Sequence, residues 1–251
     1  MIVIKRLVLM IQFLTTIPIK ISLDVSEEDY GEGLAFAPVI GLIIGGILAI
    51  TNYFTTSIFP ASINSIIIII EYILLTGGLH LDGLGDTFDG LFSNRPKERI
   101  LEIMKDSRLG TNAALAIFSV LLLYYGFLSQ IPPEYMSVVL VLFPVAGRMA
   151  TLIGAAVSNY ARNNGLGKSF VDYCGLKQLS LGVFFSILIF GIAYSFYGIG
   201  LCILSIAAAL ITVRFLSSKI DGVTGDILGA ICELNQIVTI TCFFILCLHS
   251  S

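Results

Sequence analysis

Asp82, Asp86 and Asp89 stand at i, i+4 and i+7 in the stretch HLDGLGDTFDGLFSNRPKERILEIMKDSRLG, residues 80–110. At about 100° per helical residue they lie within about 60° of one another, so three carboxylates share one helix face. Left alone they repel and hold protons. A divalent cation relieves this. Mg²⁺ is held by a few carboxylates together with water and substrate phosphate oxygens, and there it acts as Lewis acid and clamp for phosphoryl transfer. The competing reading is a solvated acidic face at a helix end. Gly83, Gly85 and Gly90 weaken a helix and argue for close approach of this backbone to something else. They do not fit GxGxxG and no strand precedes them, which excludes a dinucleotide fingerprint. His80, one turn before the aspartates, is a candidate base or substrate contact, or a cap.

Three further segments carry polar chemistry. In MKDSRLG, Lys105, Asp106 and Arg108 come together before Gly110. The two bases suit phosphate oxygens, and membrane anchoring explains the bases without requiring Asp106. In ARNNGLGKSF, Gly167, Lys168 and Ser169 resemble the tail of a phosphate-binding loop, but its first glycine falls on Arg162, so no P-loop is present. Arg162 and Lys168 suit either an anionic substrate or interfacial anchoring. In DGVTGDILGAICELNQ, Asp226 and Glu233 share a helical face, and Gly225 and Gly229 form a small-xxx-small pair. Asp226 is a second metal or base candidate, the alternative being a helix cap by Thr224 or Asp226. Glu71 and Arg148 fall inside apolar runs and are expected to pair within a bundle, since a charge at a membrane-helix centre costs ~2.5–3.5 kcal/mol.

The elements that position these residues follow from composition. Of 251 residues, 57% are hydrophobic and 12% charged, against about 25% charged in soluble proteins. A water-soluble globule is excluded and a polytopic, all-α membrane bundle is expected. Apolar runs of about 20 residues, enough for a ~30 Å bilayer core, predict seven spans near 34–54, 61–79, 112–130, 136–157, 179–197, 199–216 and 230–248. Residues 2–17 end at Pro18 and read as an interfacial helix rather than a cleaved signal, because no small-x-small site follows. With seven spans, twelve of the 14 basic residues fall on one side and none on the other, with Arg148 and Arg214 inside spans. That side is assigned to the cytoplasm, and it carries every long polar loop. Tyr53, Tyr125, Tyr135, Tyr194 and Tyr197 mark the opposite interface. No repeat or linker divides the chain, so residues 1–251 read as one membrane-embedded domain. A net charge of −3 leaves no nucleic-acid footprint. Five cysteines, at 174, 202, 232, 242 and 247, show no CxxC spacing and read as buried small hydrophobes.

TGGLHLDGLGDTFDGL followed by RILEIMKDSRLGTNAALA resembles the signature of the cobalamin synthase family, the membrane adenosylcobinamide-GDP ribazoletransferases. FLTTIPI, FAPVIGLIIG, ARNNGLG and TGDILGA extend the likeness over most of the chain. Where the family's last motif has Gly-Gly and Glu, this sequence has Asp221-Gly222 and Gln236. The resemblance implies a late step of cobalamin biosynthesis at the cell membrane. The hydroxyl of α-ribazole, or of its 5'-phosphate, attacks the cobinamide-linked phosphorus of adenosylcobinamide-GDP and GMP leaves. In that frame Asp82, Asp86 and Asp89 hold Mg²⁺, with Asp82 also catalytic. Lys105, Arg108 and Arg162 bind the diphosphate beside His80, and Asp106 or Asp226 takes the hydroxyl proton or supports a second ion. Membrane lipid surrounds the protein, and the resemblance leaves room for a homo-oligomer. A CDP-alcohol phosphotransferase or membrane prenyltransferase also places Asp-rich metal sites on diphosphates, but neither explains MKDSRLGT. A transporter using Glu71, Arg148 and Glu233 is the alternative from another class.

Overall fold

A computed structural model describes residues 2–250, with side chains to residue 248. Eleven α-helices follow in order: α1 (Ile2–Leu14), α2 (Glu27–Gly33), α3 (Ala37–Thr55), α4 (Ala61–Thr76), α5 (Leu79–Leu91), α6 (Lys97–Ile103), α7 (Thr111–Leu128), α8 (Pro133–Val157), α9 (Leu166–Asp172), α10 (Leu176–Ser217) and α11 (Gly225–Ser250). A 3-10 turn, Leu34–Phe36, joins α2 to α3. Among the described residues the only β pairing is a single bridge between Tyr160 and Val223. This is an all-α membrane bundle.

The central helix is α8, whose residues from Val139 to Ala155 are almost all buried. A membrane helix finds no water to escape from, so close packing must hold it. Gly41 and Gly45 of α3 supply that packing: a Cβ at either would stand 2.6 Å from a carbonyl oxygen of α8, that of Pro144 or Leu140. On the other side of α8, α10 doubles back. Tyr194 and Ser195 leave helical geometry, Ser195 with φ 51°. Gly182 before the break and Val213 after it both reach the same end of α8, at Leu152 and Gly154. Tyr194 meets Tyr135 at the other end. The sequence pattern puts this turn at residue 198. Gly198 instead lets the second limb press against the Phe190 carbonyl, where a side chain would clash.

Five helical stretches are long and apolar enough to cross a membrane, and α4 with α5 makes a sixth as a bent pair. The expected seven is reached only by dividing α10 at its reversal. α4 ends at Gly77 and Gly78, both left-handed (φ 61° and 70°), and the chain turns by 88° into α5. α5, turned by 88° from α4 and far less apolar than it, runs across one end of the bundle. α6, α9 and the loops around them gather at that same polar end.

The N-terminal helix α1 packs on α2 and α3. Lys5 and Arg6 hold Asp29 of α2 at 2.6 and 3.2 Å, and Arg6 also pairs with Glu32. The segment after α1 then reaches the elbow. Thr16 donates through its backbone N–H to the Leu75 carbonyl (2.8 Å) and through its hydroxyl to that of Leu74 (2.8 Å). These are end-of-helix carbonyls of α4 that have no partner within the helix. No disulfide forms among the described residues; Cys174, Cys202, Cys232 and Cys247 are buried and Cys242 is half-buried.

Candidate functional site

The glycines among the aspartates do what their spacing foretells, and the partners are neighbouring helices. A Cβ on Gly83 would lie 2.8 Å from the Asp226 carbonyl oxygen, and one on Gly229 3.2 Å from the His80 Cα. α5 and the start of α11 thus touch backbone to backbone. Gly85 packs on Ala113 and Ile117 of α7, and Gly90 on Met104 beyond α6. Of the small-xxx-small pair expected in α11, only Gly229 makes a close approach, because Gly225 faces open space. The contact sets Asp226 beside the acidic face of α5.

A second fixture brings in Arg162. After α8 the chain is clamped to the α10–α11 loop: Ala161 N–H donates to the Val223 carbonyl (2.9 Å) and Val223 N–H to that of Asn159 (2.8 Å). Gly222, at φ 157°, lies where a side chain would strike the Asn159 carbonyl, so only glycine closes this clamp. Its neighbour Asp221, where the family pattern has glycine, takes φ 55°. Thr224, not Asp226, caps α11, its hydroxyl accepting from Ile227 N–H at 3.2 Å. Asp226 is left to accept from Arg162 Nη2 at 2.8 Å and from the Thr224 hydroxyl at 3.2 Å.

These residues surround a cavity of about 270 Å³. Its polar lining comprises His80, Asp82, Thr151, Tyr160, Arg162 and Asp226, and its apolar lining comes from α1, the 3-10 turn, α9 and from α5 and α11 themselves. Asp82 is exposed, and its carboxylate accepts no hydrogen bond among the described residues. Asp86 is half-buried one turn on, and its pKa rises to about 7, first from burial and then from the charges of Asp226 and Asp82. Three carboxylates face a single guanidinium here, an excess of negative charge that suits a hard cation with oxygen ligands. Burial also raises the Tyr160 phenol, against the opposing pull of Arg162.

Other residues expected at the site lie elsewhere. Asp89 spends both carboxylate oxygens on backbone N–H groups at the start of α7, Gly110 at 2.7 Å and Ala113 at 2.9 Å. It caps the start of α7, while its charge still reaches Asp86. Asp106 and Arg108 pair with each other at 2.5 Å, with Arg108 88% exposed. The Arg108 hydrogen bonds lower the Asp106 pKa to about 2. Neither they nor the exposed Lys105 line the cavity. Lys168 pairs with Asp172 on α9.

Glu71 and Arg148 do not pair. Glu71 accepts from the Thr51 hydroxyl at 2.7 Å. Arg148, fully buried, donates to Gln236 Oε1 at 3.1 Å and to the Tyr72 hydroxyl at 3.3 Å. Tyr72 and Tyr124 in turn donate to the two oxygens of Glu233 at 2.6 and 2.7 Å. α4 turns Glu71 toward Thr51 of α3 and Tyr72 toward Arg148 and Glu233, a rotation that burial cost alone does not reveal. Among the described residues, His80, Cys232 and Glu233 have ligand atoms within 4.8 Å of one another. Glu233 already serves two tyrosines beside the Arg148 guanidinium, so this group is poorly suited to a cation. The sequence reading missed Tyr160 and the apolar lining. The Tyr160–Val223 bridge that places the tyrosine joins residues far apart in the chain and leaves no local pattern.

Known proteins extend this likeness over the whole chain. The family model described as Cobalamin-5-phosphate synthase matches residues 6–244. A Clostridium acetobutylicum adenosylcobinamide-GDP ribazoletransferase is 54% identical over 233 residues, covering 92% of each chain. One from Acetivibrio thermocellus is 50% identical over 242 residues, covering 96% of this chain and 98% of its own. The Clostridioides difficile protein of the same name is 36% identical over 252 residues, with 96% and 98% covered. No solved structure matches. With the family model matching residues 6–244 and relatives up to 54% identical, this chain belongs to the cobalamin-5-phosphate synthase family.

Proposed function

We propose that this chain is an adenosylcobinamide-GDP ribazoletransferase, joining adenosylcobinamide-GDP to α-ribazole or its 5'-phosphate with release of GMP. The observation that carries the site is the convergence of Asp82, Arg162 and Asp226 in one cavity, on three segments distant in sequence. The cavity opens at the polar end, which holds the basic loops and faces the cytoplasm, and the chain works as one domain.

Asp82, Asp86 and Asp226 would hold Mg²⁺; when bound, the ion neutralises charge on the diphosphate as a Lewis acid. Arg162 is anchored by Asp226 through Nη2, which leaves its other donors to a phosphate oxygen. Asp226 thereby sets the direction of the guanidinium, and the Tyr160–Val223 clamp sets its height. An oxygen of Asp82, with no partner of its own, takes the proton of the attacking ribose hydroxyl. As the deprotonated ribose oxygen bonds to the cobinamide-linked phosphorus, the bond from that phosphorus to the bridging oxygen breaks, and the oxygen leaves with GMP. Fixed positions and charges of this kind supply most of the catalysis in phosphoryl transfer.

Purified protein in a bilayer mimic, given adenosylcobinamide-GDP and α-ribazole with and without Mg²⁺, tests this through GMP release. Turnover should require Mg²⁺ and fall by about 10²–10³ in Asp82→Asn. Release that persists unchanged in that variant would overturn the site.

A further inference from the structure

We infer that a second cavity, beside the Tyr160–Val223 clamp where α8 and α10 end, binds the phosphate of an anionic phospholipid, with Arg214 supplying the charge. It shares no lining residue with the cavity of Asp82 and Arg162.

At about 390 Å³ this cavity has the size of a small-ligand site. Its polar lining is Ser158, Asn159, Ser217 and Ser218 together with Arg214 and Asp221. Arg214 is exposed in the last turn of α10 and has no hydrogen bond or ion pair among the described residues. Asp221 is already held by Lys97 at 3.2 Å. A guanidinium with no carboxylate of its own, among hydroxyl and amide groups, suits phosphate oxygens, which it can take two at a time. Free phosphate would meet the same donors, and the helix below them is what favours lipid. Leu210 and Ile211 stand one turn before Arg214 on the same face, 45% and 70% exposed, and Phe215 beside it is 58% exposed. This limb of α10 runs toward the polar end, so Leu210 and Ile211 lie on the bilayer side of Arg214, along the path of acyl chains. Simple anchoring of a basic residue at the interface requires neither the cavity nor its four uncharged polar side chains.

Native mass spectrometry of the full chain in detergent, titrated with phosphatidylglycerol or with phosphatidylcholine of the same acyl chains, reads the binding without turnover. One phosphatidylglycerol should be held about fivefold more tightly than phosphatidylcholine, as expected for one basic residue at an anionic headgroup. Arg214→Gln should remove that preference, and Arg214→Lys should keep most of it. Ser158→Asp, which puts a carboxylate into the same lining, should weaken retention as well and keeps the test open if Arg214→Gln does not fold. Lys177→Gln changes an exposed base at the same polar end, outside the cavity, and should leave the preference as it was. Millimolar inorganic phosphate, which has no acyl chains, should not displace the lipid. The KM for adenosylcobinamide-GDP should stay within about twofold in Arg214→Gln. Equal retention of the two lipids by the wild type, a preference that survives Arg214→Gln, or an equal loss in Lys177→Gln would overturn the assignment. Displacement by inorganic phosphate would make the cavity a free-phosphate site, and a rise in that KM would make it part of the substrate's path; either result would also overturn it.

Discussion

Two aspartates seven positions apart on α5 have opposite work. Asp82 offers free oxygens to a cavity, whereas Asp89 gives both of its own to the first N–H groups of α7. Asp89→Ala should therefore cost about 1 kcal/mol, the usual loss for a helix cap, and lower the melting temperature. The Mg²⁺ dependence of turnover should stay as it was. A variant that keeps its melting temperature and loses its response to Mg²⁺ would instead return Asp89 to the metal. Arg148 supports a second prediction. With Glu233, Tyr72 and Gln236 arranged around a buried guanidinium, Arg148→Met leaves Glu233 without its nearby positive charge. Arg148 reaches Glu233 only through the Tyr72 hydroxyl, and leaving the buried Tyr72 and Gln236 oxygens without this donor should cost about 1–3 kcal/mol, read as lost thermal stability in detergent. Exchanging Glu71 for lysine in the same chain should restore none of it, because Glu71 bonds to Thr51 on another face of α4. Recovery would show that the two groups meet after all.

At the level of helices, the site depends on how closely α5 can approach α11. Gly229→Leu places a side chain where the His80 Cα stands 3.2 Å from the Cβ position. Overpacking of this kind costs about 1–3 kcal/mol. Prising Asp226 from Asp82 should also reduce GMP release by more than about tenfold, as a small misplacement of reacting groups does. Gly46→Ala on α3, which faces open space and does not line the cavity, serves as the control. These contacts show where the sequence could and could not be read. The shared face of Asp82 and Asp86 was legible because helical periodicity is local, and the spans because a bilayer demands long apolar runs. The glycines were legible as sites of close approach, but which helix they approach is decided by the tertiary fold. Asp89 shares the periodicity of its neighbours, but its capping of α7 was not legible, because its amide partners Gly110 and Ala113 lie more than twenty residues on. The reversal of α10 falls at Tyr194-Ser195, a dipeptide with no turn signal, while the nearby Gly198 drew the boundary four residues late.

For the molecule as a whole, the carboxylates at the polar end tie stability to cation and pH together. Asp86 has its pKa raised to about 7, so its charged form is disfavoured by the fold and becomes general only above that pH. Mg²⁺ needs the charged form. The thermal stabilisation given by Mg²⁺ should be large at pH 8 and shrink as pH falls through 7, with affinity dropping by up to about tenfold per unit below it. A stabilisation equal at pH 6 and pH 8, measured by melting in detergent, would separate Asp86 from the ion. The joining of distant segments at the site also bears on how the protein is made. Thr16 ties the elbow before α5, yet Asp226 enters only with the last helix. A nascent chain held in the translocon after six helices would thus display the acidic face of α5 with neither Arg162 locked nor Asp226 present. The enzyme becomes active late in synthesis, once its final hydrophobic segment is inserted, and a chain cut short before that point remains inert in the bilayer.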